Sequence, residues 1–278
     1  MCLRRSFCVT SLFIMLSAGQ KTDNISQQIS TLSATTKAMI NSKPKINDLP
    51  RYPYVVSIGT NVKGSYKHLC VGVILSNQFV LTAAHCVKPS QALNSKTKMF
   101  VAAGDDFVGS RKQTRFFVVR LEWHPQFKPL GGYDIALMKV HPKLPLDGTR
   151  FRSINFNDRP QKASGVKVSM VGWGRVSIGR MKKLKELPFE TIDNGVCKQK
   201  HRFVFLTKVE MCAVHLKGSI GACDGDSGAP LIDVAKGKLY GLLSYGKKAC
   251  KPLKPYAFTR VSEYSKWIWR TMDKMALN

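Results

Sequence analysis

From Tyr54 onward, short runs rich in Val, Ile and Phe alternate with Gly, Pro, Asn and Asp, a spacing that leaves room for strands and little else. The runs include Tyr54–Ile58, Val71–Leu75, Phe79–Leu81, Phe116–Leu121, Ile135–Val140, Val166–Val171, Pro230–Ile232 and Leu239–Ser244. Many short strands closely spaced predict an all-β barrel or sandwich. The final stretch, Val261 to Met272, departs from this pattern. Tyr264, Trp267 and Ile268 recur there at a helical period, so one C-terminal helix is expected. No internal repeat is present.

The first residues read as a secretory leader. Arg4 and Arg5 precede the short apolar stretch Ser6–Leu16, and Ser17-Ala18-Gly19 offers a small-x-small cleavage site. Residues 1–19 are therefore expected to be a signal peptide, with secretion to the extracellular space. The apolar stretch falls short of the roughly 20 residues that a bilayer needs, so no membrane span is expected. Residues 20–39 are rich in Ser, Thr and Gln, carry the sequon at Asn24 and read as a flexible pro-segment. The remaining 40–278 is long enough for a substantial core.

The chain holds 44 Lys and Arg against 17 Asp and Glu, a formal net charge of +27. Such a field draws polyanions such as sulphated glycans and anionic surfaces. Solubility, or an acidic working medium, accounts for it equally well. Zinc-finger spacing, aromatic RNA motifs and a compact basic helix are all missing, so no specific nucleic-acid partner is expected. Cys2 and Cys8 lie in the leader. Six cysteines remain, an even number suited to disulfides in an oxidising compartment, and spacing alone leaves their pairing open. No C-x-x-C or H-x-x-x-H pair occurs, and neither a metal nor a cofactor is expected.

Three segments carry chemistry. Gly225-Asp226-Ser227-Gly228 sets a serine on a tight turn whose flanking amides can face a carbonyl, Leu81 to Cys86 contains His85, and Asp134 opens Asp134-Ile135-Ala136-Leu137. A serine hydroxyl is a weak nucleophile near neutrality. It needs a base within hydrogen-bond reach, and the base needs a partner that fixes its tautomer. Singly, each segment has a structural reading, as a strand end, a strand cap or an ordinary glycine turn. Jointly and in this order they resemble the trypsin/chymotrypsin family of serine endopeptidases, from roughly Ile40 to the C-terminus.

That resemblance implies two six-stranded antiparallel barrels with the active site in the cleft between them. It implies a catalytic set of His85, Asp134 and Ser227, with the backbone N–H groups of Gly225 and Ser227 as oxyanion hole. It implies the pairs Cys70–Cys86, Cys197–Cys212 and Cys223–Cys250. Ser244-Tyr245-Gly246 matches the family's substrate-pairing strand, where Ser244 would bond Asp134 and Gly246 would pair with the peptide. Gly172-Trp173-Gly174 matches another segment near the site. His124, His141, His201 and His215 match no catalytic position and are expected on the surface.

Activation in the family frees an apolar N-terminus whose ammonium pairs with the aspartate before the serine, here Asp226. Counting back from Pro53-Tyr54 places that terminus at Ile40. The segment Met39-Ile40-Asn41-Ser42 lacks the usual basic residue and paired glycines, and cleavage after Lys37 would free Ala38 instead. His68 and Ser57 match a pair that holds this aspartate in family zymogens. An activating protease and polypeptide substrates are the implied partners, and a monomer is expected.

The pocket floor, an aspartate in trypsin-like members, is Gly221 followed by Ala222. Cleavage after Lys or Arg is therefore not expected. Gly246 leaves one wall open, whereas Tyr256 replaces a common glycine on the other and would fill part of the pocket. A shallow, largely apolar site for small or medium residues follows, with the alternative that Tyr256 swings aside and leaves a deep pocket. Asp224 at the rim would favour basic neighbours on the substrate. The competing function is a cationic polyanion-binding or antimicrobial protein on a protease scaffold with little or no catalysis.

Overall fold

The computed structural model of the protein describes residues 49–88, 98–156, 164–200, 206–217, 221–246, 250 and 254–277. The expected leader (1–19), pro-segment (20–39), sequon at Asn24, new terminus at Ile40 and His201 lie outside the described residues.

In the N-terminal half run β1 (Val55–Val62), β2 (Ser65–Ile74), β3 (Phe79–Thr82), β4 (Met99–Ala103), β5 (Phe107–Val108), β6 (Thr114–Trp123) and β7 (Ala136–His141). The C-terminal half has β8 (Asn155–Phe156), β9 (Lys167–Gly172), β10 (Lys182–Lys183), β11 (Lys185–Ile192), β12 (Glu210–His215), β13 (Pro230–Asp233), β14 (Lys238–Tyr245) and β15 (Pro255–Arg260). Among the described residues there are also two α-helices, α1 (Asn194–Lys200) and α2 (Ser265–Ala276).

Strands β1-β2-β3-β7-β6-β4 close into one barrel. In the second half the order β13-β9-β11-β12-β15-β14 closes through a β13–β14 pairing, giving another six-stranded barrel with β8 added in parallel to β14. All pairings within the two barrels are antiparallel. The two-barrel, all-β architecture with a C-terminal helix agrees with the expectation.

Side-chain alternation explains why these runs are apolar on both faces. Val56, Ile58, Ile74, Val80, Val101 and Met138 fill the first barrel. Their neighbours Val55, Val71, Val73, Leu81, Ala102 and Leu137 point the other way and join the core that contains Met170, Phe189 and Phe258 of the second barrel. Successive strand residues face opposite sides. A strand sandwiched between barrel interior and barrel–barrel contact must therefore be apolar throughout. Burying each such side chain is worth about 1.5–3 kcal/mol.

Strands β4, β11, β12 and β15 do not appear among the runs that the sequence pattern singles out. Lys185–Ile192 is broken by Pro188, and Glu210–His215 mixes Glu, Cys and His with apolar residues. The C-terminal segment begins as a 3-10 turn over Val261–Tyr264 before α2. Ile268, Thr271 and Met275 form the buried face of α2. Lys139 Nζ donates to the Met275 carbonyl at 2.6 Å and satisfies one of the free acceptors at the helix end.

All three expected disulfides are formed, Cys70–Cys86, Cys197–Cys212 and Cys223–Cys250. Two of the histidines expected on the surface are not there. His215 is 1% exposed and packs on Phe189, because its alternation on β12 turns it into the second barrel. His124 is half-buried, its ring stacked on Tyr133 and edged by Tyr264 and Trp267. His141 is exposed as expected.

Candidate active site

β3 ends at Thr82, and after the fully buried Ala83 the chain turns through a 3-10 segment, Ala84–Cys86, that contains His85. The disulfide to Cys70 staples this turn to β2. Asp134 lies two residues before the start of β7. Gly132 (φ +81°) and Tyr133 (φ +58°) bend the chain sharply just before it. The result is an Asp134 that is 5% exposed and surrounded by donors.

His85 Nδ1 lies 2.7 Å from Asp134 Oδ2, and the His85 backbone N–H donates to Oδ1 at 2.9 Å. Ser244 Oγ on β14 donates to Oδ2 at 2.6 Å. Thr259 Oγ1 on β15 donates to the Asp134 carbonyl at 2.7 Å. Two hydroxyls of the second barrel thus fix an aspartate of the first. The Ser244 bond matches expectation, whereas Thr259 was not singled out. A lone threonine in a strand carries no signal in sequence; only the barrel contact makes it a partner.

The serine turn is held from both sides. Asp226 N–H donates to the Cys223 carbonyl at 3.0 Å and Ala229 N–H to the Asp226 carbonyl at 2.8 Å. Val71 N–H of the first barrel donates to the Ser227 carbonyl, and Gly228 N–H to Leu243 of the second, both at 2.8 Å. Gly225 has φ +95°, and a Cβ there would lie 2.5 Å from the Gly174 carbonyl oxygen, so only glycine fits. Among the described residues, the N–H groups of Gly225 and Ser227 have no acceptor. Backbone donors left over in so tightly bonded a turn are suited to receive an oxyanion.

The structure brings His85, Asp134 and Ser244 together directly. Ser227 stands at the mouth of a cavity of about 110 Å³ that Ser244 and Tyr245 also line. Its hydroxyl makes no hydrogen bond to His85 or to any other described residue. Such contacts tighten when substrate binds.

Asp226 is 3% exposed. Its Oδ1 accepts the Gly174 N–H at 2.6 Å and its Oδ2 the Cys223 N–H at 2.9 Å. Burial pushes this carboxyl up from its usual range, against the pull of those two donors and of the Lys182 ammonium. The expected His68–Ser57 pair exists, at 2.7 Å between His68 Nδ1 and Ser57 Oγ. Its target differs: His68 Nε2 lies 2.9 Å from the Gly225 carbonyl oxygen, which can only accept, so the proton sits on Nε2. The histidine therefore braces the oxyanion turn.

Burial lowers the His68 pKa from 6.5 to about 4, against the opposing bond to Gly225. The unfolded chain thus takes a proton near pH 6.5 that the folded chain refuses until about pH 4. The neutral ring's contribution is complete above pH 6.5 and is lost as pH falls towards 4, by about 3 kcal/mol. Urea unfolding at pH 7 and pH 4 should show a stability loss smaller by about that amount in His68→Gln. An equal loss in both proteins would contradict the assignment.

At the pocket, Gly221 and Ala222 are buried and bring no charge to its floor. Tyr256 is 3% exposed, its hydroxyl donates to the Ala222 carbonyl at 3.3 Å, and a Cβ on Gly246 would overlap its ring. In this structure the phenol lies across the pocket. Asp224 at the rim pairs with Arg175 at 2.5 Å, both largely exposed.

Glu210 was also missed. Its carboxyl is 1% exposed behind Tyr245, and Oε2 accepts the N–H and Oγ1–H of Thr207, both at 3.0 Å. Burial raises it above the usual carboxylate range, and the charge on Asp134 adds to that shift.

The trypsin family model matches residues 42–268. Trypsin eta of Drosophila melanogaster is 32% identical over 207 residues, 73% of this chain and 77% of that protein. Granzyme M of Rattus norvegicus is 29% identical over 228 residues, 80% of this chain and 85% of its own length.

Proposed function

Because this chain belongs to the trypsin family, whose members here are serine-type endopeptidases, we propose that it cleaves peptide bonds through an acyl-enzyme on Ser227. The observation that carries this reading is the 2.7 Å contact of His85 Nδ1 with Asp134 Oδ2, itself buttressed by Ser244. With Nδ1–H committed to Asp134, the free lone pair of His85 is on Nε2. That nitrogen takes the Ser227 proton as Oγ attacks the scissile carbonyl, and Asp134 stabilises the imidazolium. The carbonyl oxygen becomes an oxyanion received by the N–H groups of Gly225 and Ser227. Each such donor is worth about 2.7–4 kcal/mol. His85 then gives the proton to the leaving amine, and water repeats the sequence to free the acid.

The pocket supports cleavage after small or medium apolar residues. Its floor lacks a carboxylate to pair with Lys or Arg, and Tyr256 takes the volume that an aromatic side chain would need. Three disulfides support a secreted protein matured in an oxidising compartment.

A peptide library is the test. Cleavage should follow residues such as Ala, Val or Leu, and Tyr256→Gly should raise kcat/KM for Phe relative to Ala by at least about tenfold, since a single methylene in an apolar pocket is already worth about 10–200-fold. Cleavage dominated by Lys or Arg, or a Phe-to-Ala ratio unmoved in Tyr256→Gly, would contradict the pocket reading.

A further inference from the structure

We propose that Lys182 is a built-in counter-charge for Asp226, holding the 223–228 turn in its oxyanion-binding form before any new N-terminus is freed. The inference rests on the protease reading above and concerns how that site is kept in working order.

A carboxylate buried like Asp226 is costly without a compensating cation. Its two N–H donors come from Gly174 and Cys223, and neither carries charge. Among the described residues no cation is in direct ion-pairing contact with it, and His68, the other titratable group at this turn, is neutral and turned to the Gly225 carbonyl. Arg175 points outward to Asp224. Lys182 is the cation that remains.

Lys182 is placed for this role by its backbone. It pairs with Val108 across the β5–β10 ribbon, and Leu184 N–H bonds the Asp106 carbonyl at 2.8 Å. Its half-buried side chain runs back over Gly174. Beside the Gly174 Cα, where a Cβ would stand, Lys182 Nζ is 3.2 Å away and Asp226 Oδ2 3.6 Å away. The ammonium also donates to the Arg175 carbonyl at 2.9 Å. Gly174-Arg175 is thus clamped from both ends, its N–H on the Asp226 carboxylate and its next carbonyl on the Lys182 ammonium. The two opposite charges attract each other across the Gly174 backbone. A residue that fixes Gly174 and neutralises Asp226 acts on catalysis only through the turn, so Lys182 is a positioning residue.

The sequence around Ile40 gives the arrangement its use. Met39-Ile40-Asn41-Ser42 has no basic residue before the expected terminus and no paired glycines after it. A side-chain ammonium in place from the start makes the oxyanion turn independent of cleavage there.

The test is labelling of the full secreted chain by a serine-directed phosphonate, with an intact N-terminus verified by sequencing and folding verified by thermal melting. Unprocessed wild type should label. Unprocessed Lys182→Met should label at least tenfold more slowly, and Lys182→Arg should recover most of the rate. Processing should largely erase the Lys182→Met defect, since the new ammonium takes over. Should Lys182→Met melt early, Lys182→Gln gives the same readout. Equal labelling of unprocessed wild type and Lys182→Met would overturn the proposal. So would labelling confined to processed protein, which would leave the protease reading intact. No labelling of either form would overturn both.

Discussion

Ser227→Ala is expected to lower kcat by about six orders of magnitude, the loss seen when a nucleophile acting as a unit with its base is removed. The fold should be untouched. The turn is held by main-chain bonds, Val71 N–H to the Ser227 carbonyl and Gly228 N–H to Leu243, which alanine keeps. The oxyanion donors at Gly225 and residue 227 also remain, so binding of a peptide should change far less than turnover. Steady-state hydrolysis of a fluorogenic peptide, with thermal melting as the folding control, reads both quantities. Retention of a per cent or more of the parent kcat would remove Ser227 from the chemistry.

Asp134→Asn is expected to cost about four orders of magnitude in kcat, with little change in KM. The amide is nearly isosteric, yet its NH2 cannot accept a hydrogen bond. If the amide oxygen takes the Oδ1 position and keeps the His85 backbone N–H, the NH2 takes the Oδ2 position and faces both Nδ1 and the Ser244 hydroxyl. The ring then responds by moving its proton to Nε2, the nitrogen that must stay free to take a proton from Ser227. Asp134 is held by Ser244, Thr259 and the His85 main chain, so reorientation offers no easy escape. Rates measured from pH 6 to 9 separate a tautomer defect from misfolding, which melting would reveal. A loss of under tenfold would mean that the aspartate serves only packing.

Much of this site was legible in the sequence because its parts are local. His85 beside Cys86, Asp134 before an apolar strand and Ser227 between two glycines each carry their own signal within a few residues. The disulfide pairing and the two barrels followed from resemblance to a known family, and the structure agrees with both. What escaped was set by contacts between distant strands. Thr259 is an unremarked strand residue until the second barrel places its hydroxyl on the Asp134 carbonyl. Glu210 looks like a surface charge on a mixed run, and His215 like a strand-end polar residue, until β12 is paired on both sides. His68 was matched correctly to Ser57, but its other nitrogen serves the Gly225 carbonyl, a choice made by the geometry of the turn. Tyr256 lay between: its identity pointed to a filled pocket, and only the structure shows its hydroxyl on the Ala222 carbonyl.

The proposed working unit spans both barrels. Asp134 and His85 come from the first, Ser227 and Ser244 from the second, and the barrels are tied by two short hydrogen bonds to Asp134, from Ser244 and Thr259, and one from Val71 to Ser227. Relative motion of the barrels would therefore strip Asp134 of its two hydroxyl donors and shift Ser227 away from His85. Function rests on the large apolar interface, which includes Val55, Val73, Leu81 and Leu137, because it prevents that motion.

The most direct test is mass-spectrometric mapping of the adduct formed when processed protein meets a serine-directed phosphonate. A single phosphonyl group on the peptide containing Ser227, absent from Ser227→Ala and strongly slowed in His85→Ala, is the expected result. A folded, correctly processed chain that forms no adduct, or forms it at another residue, would contradict the account.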